Sequence, residues 1–155
     1  MRLIGDFVNR FNSSMSLDER LVVKRQSRYF LLNDRLKRLV SKDFFYAGVY
    51  LGKEKDGVFF PSFPLLTMIA KGKANRVMVD EKTEWLFICG RDIFKQGVIG
   101  IEGSSRRGDY TLVLNKHGDC LGFGKILCNM DEEAGKQKVI VRNISDIGDF
   151  LRREK

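Results

Sequence analysis

Leu121-Gly122-Phe123-Gly124, followed by Lys138-Val139-Ile140-Val141-Arg142, confines the last third of this chain to paired strands. A period of two puts Lys138, Ile140 and Arg142 on one face and Val139 with Val141 on the other. The valines suit a core. Lys138 and Arg142 suit a phosphate backbone, because a neighbouring strand with small residues lets a polyanion approach the main chain closely. The pattern implies RNA as a ligand.

Charge is unevenly placed. Residues 1–82 hold 16 Lys and Arg against 9 Asp and Glu, and the remainder holds 12 against 11, for a net charge of +8 over 155 residues. Bulk attraction to polyanions therefore lies in the first half, and a site in the second half must come from local clustering. A composition of 43% hydrophobic and 31% charged residues is that of a globular protein. An acidic residue at Asp6 interrupts any leader-like start, and no window approaches the ~18 apolar residues of a membrane span. The expectation is a soluble intracellular monomer with reduced thiols. Cys89, Cys120 and Cys128 lack metal-ligand spacing, alone or with His117, and are expected to be buried small hydrophobes.

Ile4, Phe7, Val8 and Phe11 follow helical spacing. Arg20 to Lys24 and Arg28 to Leu32 read as strands turning near Gln26. A helix capped at Asn33 or Asp34 runs to Val40, with Leu36, Leu39 and Val40 inward. Phe44 to Leu51 reads as a strand, and Lys55-Asp56-Gly57 turns the chain into Val58-Phe59-Phe60. Ser62 starts a helix that ends at Gly72. Arg76 to Val79 and Glu84 to Cys89 read as strands around a lobe boundary near Asp80. A short helix over Asp92 to Gln96 and an irregular Gly100 to Gly108 come next. Strands then follow at Tyr110 to Leu114, Leu121 to Cys128 and Lys138 to Arg142. Lys116 to Asp119 is a hairpin turn and Met130 to Gly135 an acidic loop. The fold class is α+β: an N-terminal domain (1–80) with an antiparallel sheet and helices, then a small β-barrel (81–155), whose closure would remove exposed edges.

The second half resembles a PUA domain through Phe87-Ile88-Cys89-Gly90-Arg91-Asp92-Ile93-Phe94-Lys95, Gly118-Asp119, Leu121 to Gly124 and Asp146 to Arg153. The first half, through Phe45 to Gly52 and Phe63 to Ala70, resembles the N-terminal domain of the Nip-seven family of large-subunit ribosome biogenesis factors. This likeness implies an RNA-binding factor in precursor ribosomal RNA processing. RNA would lie on the PUA half, and assembly proteins would dock on the first. It also implies that Lys138 and Arg142 occupy the strand position of the family's RNA-binding cations, whereas a further family cation corresponds to Ser145. The lack of terminal extensions leans toward an archaeal form, cytoplasmic there and nucleolar or nuclear in a eukaryote.

Lys136 precedes the strand cations, and Arg152 with Arg153 follows on the closing segment. Arg106 and Arg107 lie in a glycine-flanked loop that either is solvated or clamps RNA. Gly122 and Gly124 either bend the strand around a core Phe123 or admit RNA, geometry being the larger share. Phe44, Phe45, Tyr46, Phe59, Phe60 and Phe63 have the look of a stacking platform, but aromatics in hairpins belong more often to the core; Tyr46 and Tyr50 fall on one face, where one of them can be exposed. Arg35, Lys37, Arg38 and Lys42 with Lys71, Lys73 and Arg76 form a secondary basic face, for RNA or an acidic partner. No phosphate-binding loop is present, His117 is alone, and Asp146 with Asp149 suits capping. The chain is therefore expected to have no catalytic residues, metal or cofactor. The alternatives are a protein-interaction adaptor and an accessory subunit of an RNA-modifying complex.

Overall fold

The computed structural model describes residues 1–40, 44–104, 106–129 and 135–153, with the side chain of Arg153 outside the description. Helix α1 (Arg2–Asn9) buries Ile4, Phe7 and Val8, the stripe that its spacing predicts. Strands β1 (Val22–Arg25) and β2 (Arg28–Leu31) form a hairpin, and α2 (Asp34–Leu39) follows. The Asn33 side chain caps α2 by accepting from the Leu36 N–H at 2.7 Å. Strands β3 (Val49–Lys55) and β4 (Val58–Pro61) complete an antiparallel sheet in the order β1-β2-β3-β4. Helix α3 (Phe63–Lys71) is capped by Ser62, with Pro64 in its first turn.

Strand β5 (Arg76–Val79) belongs to the second sheet, pairing parallel with β8 and antiparallel with β7. Helix α4 (Glu81–Ile88) then precedes β6 (Ile93–Phe94), a single helical turn, β7 (Val98–Glu102), β8 (Tyr110–Leu114), β9 (Cys120–Ile126), β10 (Val139–Asp146) and α5 (Ile147–Arg153). Six strands curl in the order β6-β10-β9-β8-β5-β7. This is a half-barrel: the turn Lys95–Gly97 joins its two edge strands covalently instead of a ladder, because β6 has only two residues.

One core joins both sheets. Ile4, Phe7 and Phe11 of the α1 region pack with Leu51 and Phe59 of the first sheet, Leu65 and Ile69 of α3, and Leu112 and Phe123 of the second sheet. Phe7 meets Phe59 and Phe123 edge-on at centroid distances of 5.4 and 5.5 Å. Main-chain bonds tie the same seam: Asn75 N–H to the Phe11 carbonyl at 2.8 Å and Tyr110 N–H to that of Arg10 at 3.0 Å. A second cluster, with Val77, Phe87, Ile126 and Ile140, fills the half-barrel. A third lies on the far face of the first sheet, where Phe30 and Leu32 are covered by Leu36, Val40 and Phe44.

Several elements differ from the sequence expectation. The expected strand Glu84 to Cys89 is helical as far as Ile88, since the Asp80 carboxylate accepts from the Thr83 N–H at 2.8 Å, and Glu81 and Glu84 suit the helix N-terminus. A short apolar run does not distinguish a strand from a helix by period alone. Residues 44–48 precede β3 without joining it. Residues 92–96 form a short strand and a turn, and β7 takes up part of the stretch expected to be irregular. Leu39 is 75% exposed. Cys89 is exposed, Cys120 half-buried and Cys128 buried. The acidic loop falls almost wholly on residues 130–134, outside the described residues.

Candidate nucleic-acid interface

The register of three strands sets one row across the second sheet. Tyr110 of β8 lies opposite Lys125 of β9, and Lys125 lies opposite Arg142 of β10. Directly opposed residues share a face with Cβ atoms about 4.5–5.5 Å apart. Lys125 and Arg142 are therefore adjacent, on the face that also carries Leu112 and Phe123. Neither has an acidic partner among the described residues. Like charges so placed weaken a strand pair, and an anion between them removes the penalty.

The row continues to Arg10, at the C-terminal end of α1. The Arg10 guanidinium stacks on Tyr110, with its carbon 3.5 Å from the ring centroid, and Nη1 donates to the Tyr110 hydroxyl at 2.5 Å. Tyr110 is itself held edge-on by Phe7 and Phe11. Beside it an apolar cleft of about 340 Å³ opens between α1, the β3–β4 hairpin and β10, lined by Phe7, Phe59, Phe123 and Ile144 among others.

Other expected site residues divide between the two ends of the sheet. Arg106 and Arg107 lie where β8 begins: the Gly108 N–H donates to the Ile126 carbonyl at 2.8 Å and the Arg107 N–H to Asn129 Oδ1 at 3.1 Å. Lys136 and Lys138 sit where β10 begins, accepting through their carbonyls from Gln96 and Lys95. Arg107, Lys136 and Lys138 are exposed, while Arg106 Nε lies 3.7 Å from Asp109. Arg152 belongs to the opposite end of β10, with Nη2 3.8 Å from a buried Asp146 carboxylate. Arg153 follows it on α5, and its side chain is outside the described residues.

Two parts of the expected geometry change. A bulge between Val139 and Val141 breaks the alternation, so Ile140 and Val141 are both buried. Lys138 and Arg142 stand roughly 13 Å of strand apart, and Lys125, not Lys138, is the neighbour of Arg142. The glycines serve the fold: a Cβ on Gly124 would lie 2.5 Å from the Arg142 carbonyl oxygen, and one on Gly122 2.8 Å from the Asp146 Cα. The β10 main chain fills the space that an RNA backbone would need. Ser145 lies opposite Phe123 and is buried, its hydroxyl donating to Asp149 at 2.9 Å. The Asp146 carboxylate accepts from the Asp149 N–H at 2.9 Å, the expected cap.

The secondary basic face does not form one surface. Arg35, Lys37 and Arg38 are on α2, over the third cluster, while Lys71 ends α3, and Lys73 and Arg76 come after it, on the side of the shared core. Arg76 is tied to Glu102 at 3.3 Å, and Lys42 lies outside the described residues. His117 is exposed in its turn. Among the described residues no group of His, Cys, Asp or Glu is arranged to hold a metal, and no helix is long and apolar enough to cross a membrane. Burial pushes the Cys120 thiol up to about 11. Lys125 and Arg10 escape a reading of the sequence. Lys125 alternates with Phe123 along β9, but only the register reveals its opposition to Arg142.

The comparisons agree with this architecture. The UPF0113 PUA domain model matches residues 75–155. A UPF0113 protein of Archaeoglobus fulgidus is 37% identical over 114 residues, which cover 71% of this chain and 63% of that protein. The chain thus matches less than two thirds of that relative's length. A conserved PUA domain protein from Thermoplasma acidophilum superposes with a TM-score of 0.62 at 23% identity, covering 99% of this chain and 92% of that one. A protein from Pyrococcus horikoshii gives 0.59 at 16% identity over the same shares. At these identities the two structures speak for the fold alone. With a family match across the half-barrel and a relative aligned along most of its length, this chain belongs to the UPF0113 family and carries its PUA domain over residues 75–155.

Proposed function

We propose that this protein is a non-enzymatic RNA-binding factor acting in assembly of the large ribosomal subunit, as its resemblance to the Nip-seven family implies. The observation that carries the RNA-binding part is the Lys125–Arg142 opposition. Two cations without acidic partners among the described residues sit beside an arginine stacked on Tyr110, at the end of the sheet that also gathers Arg107, Lys136 and Lys138. Phosphates would lie along that end, where fixed cations replace released counterions. A cytoplasmic setting is supported by the archaeal source of the relatives.

Crosslinking the protein to RNA in cells and sequencing the attached nucleotides tests this function. The expected outcome is enrichment of large-subunit ribosomal RNA precursors, reduced by Lys125→Ala with Arg142→Ala. Enrichment of unrelated RNA, or none, contradicts it.

An adaptor role has its own support in Trp85 and Phe94, 65% and 40% exposed beside the half-barrel. A partner protein that binds through Trp85 in a pull-down with no RNA present would favour that reading.

A further inference from the structure

On the far side of the molecule, the first sheet carries a second row of opposed cations. Arg25 of β1 lies opposite Arg28 of β2, and Arg28 lies opposite Lys53 of β3. These three share a face, the one on which Phe30 is buried. Their sequence neighbours behave differently: Lys24 is paired with Glu54 at 2.7 Å, whereas Arg28 and Lys53 have no acidic partner among the described residues. Two exposed aromatic side chains belong to this face, Phe45 against Arg28 and Tyr46 against Phe30. Phe45 is 79% exposed and Tyr46 59% exposed. The Arg28 guanidinium carbon lies 5.1 Å from the Phe45 ring centroid. Tyr46 is anchored edge-on against the buried Phe30 at 5.3 Å and tilted against Tyr50 at 6.4 Å, with the remainder of its ring open to solvent.

An exposed phenylalanine contributes little to a core, and Arg28 and Lys53, like charges directly opposed, weaken the pairing of the strands that hold them. Both features are accounted for by one class of ligand. Single-stranded RNA offers flat bases to stack on exposed rings and phosphates spaced along a flexible chain. An acidic peptide would meet the charges but leaves Phe45 and Tyr46 without a flat partner. We propose that this face is a second contact for single-stranded RNA, with Phe45 and Tyr46 stacking bases and Arg28 and Lys53 holding the adjoining phosphates. The inference rests on the RNA-binding role above. It adds a site on the face of the first sheet opposite the shared core, so one strand of RNA would engage both halves.

The test is a titration of the full chain against an end-labelled oligouridylate over a range of salt concentrations. Phe45→Ala with Tyr46→Ala should weaken binding roughly tenfold and leave the salt slope unchanged. Arg28→Ala with Lys53→Ala should flatten the log–log slope by roughly 0.7 for each phosphate released. Phe45→Leu with Tyr46→Leu, which keeps apolar bulk without a flat ring, should behave like the alanine pair. Ultraviolet crosslinks should map to the peptide containing Phe45. Wild-type affinity and slope in these variants, with loss only in Lys125→Ala/Arg142→Ala, would overturn this second contact and spare the first. A wild-type chain that binds no oligouridylate would overturn both.

Discussion

The two sheets present cations in the same manner and in different company. On the second, Lys125 and Arg142 face each other beside an Arg10–Tyr110 stack that is locked into the shared core. On the first, Arg28 stands between Arg25 and Lys53 against the solvent-open Phe45 ring, with Tyr46 exposed on the same face. The contrast separates two kinds of contact. A row of charge on a packed surface positions a phosphate chain whatever its bases. Charge beneath free rings adds a surface for the bases themselves.

The comparison presumes one rigid body, and the largest expected effect tests that. Phe7 touches rings from both sheets, so Phe7→Ala should cost about 3–5 kcal/mol and leave a single denaturant transition common to both halves. Two separated transitions would mean two independent surfaces. Gly124→Ala comes next, at roughly 1–3 kcal/mol, because the Arg142 carbonyl lies where the new methyl must go. Phe45→Ala, fully on the surface, should stay within about 0.5 kcal/mol. Equal costs at Gly124 and Phe45 would contradict the packing described here.

Charge reversal sharpens the comparison further. Lys125→Glu and Lys53→Glu each replace a like-charge pair by an opposite one, so each should raise stability by about 0.2–1 kcal/mol while weakening RNA binding. A variant that loses stability would show that the opposed cations already have partners. The smallest effect concerns the paired neighbour. Hydrogen bonds from Lys24 and Tyr29 hold the Glu54 carboxyl below its ordinary value. Its stabilising contribution is therefore present above the ordinary glutamate range and is lost as pH falls through the lower folded value. In acid titrations Glu54→Gln should show a shallower loss of stability across that window than the wild type, whereas Lys53→Ala should not.

Much of this fold was legible in the sequence, because local rules act there. The α1 stripe, the caps at Asn33 and Ser62 and the turns at Asp56-Gly57 and Gly118 are short-range signals, and the structure keeps them. Helix α4 is hidden in the sequence because its contiguous Trp85-Leu86-Phe87-Ile88 looks like a strand, while in the structure only Phe87 is fully buried. The cation rows were illegible for a different reason. Lys125 and Arg142 are distant in sequence, and two bulges in β10 shift the register, so no periodicity predicts their opposition. Period two also fails at Ile140 and Val141, so alternation no longer puts Lys138 on the face of Arg142. Phe45 and Tyr46 read as part of a hairpin strand, where aromatics belong more often to a core, with Tyr46 or Tyr50 the one open to solvent; the chain enters β3 only at Val49 and leaves both Phe45 and Tyr46 outside it.

The claim on which the account turns is that Lys125 and Arg142 act together on phosphate. The salt dependence of RNA affinity, measured for the wild type and for Lys125→Ala with Arg142→Ala, tests it most directly. The expected result is a log–log slope shallower by about 1.4, two contacts at roughly 0.7 each. An unchanged slope in a folded variant would contradict the claim.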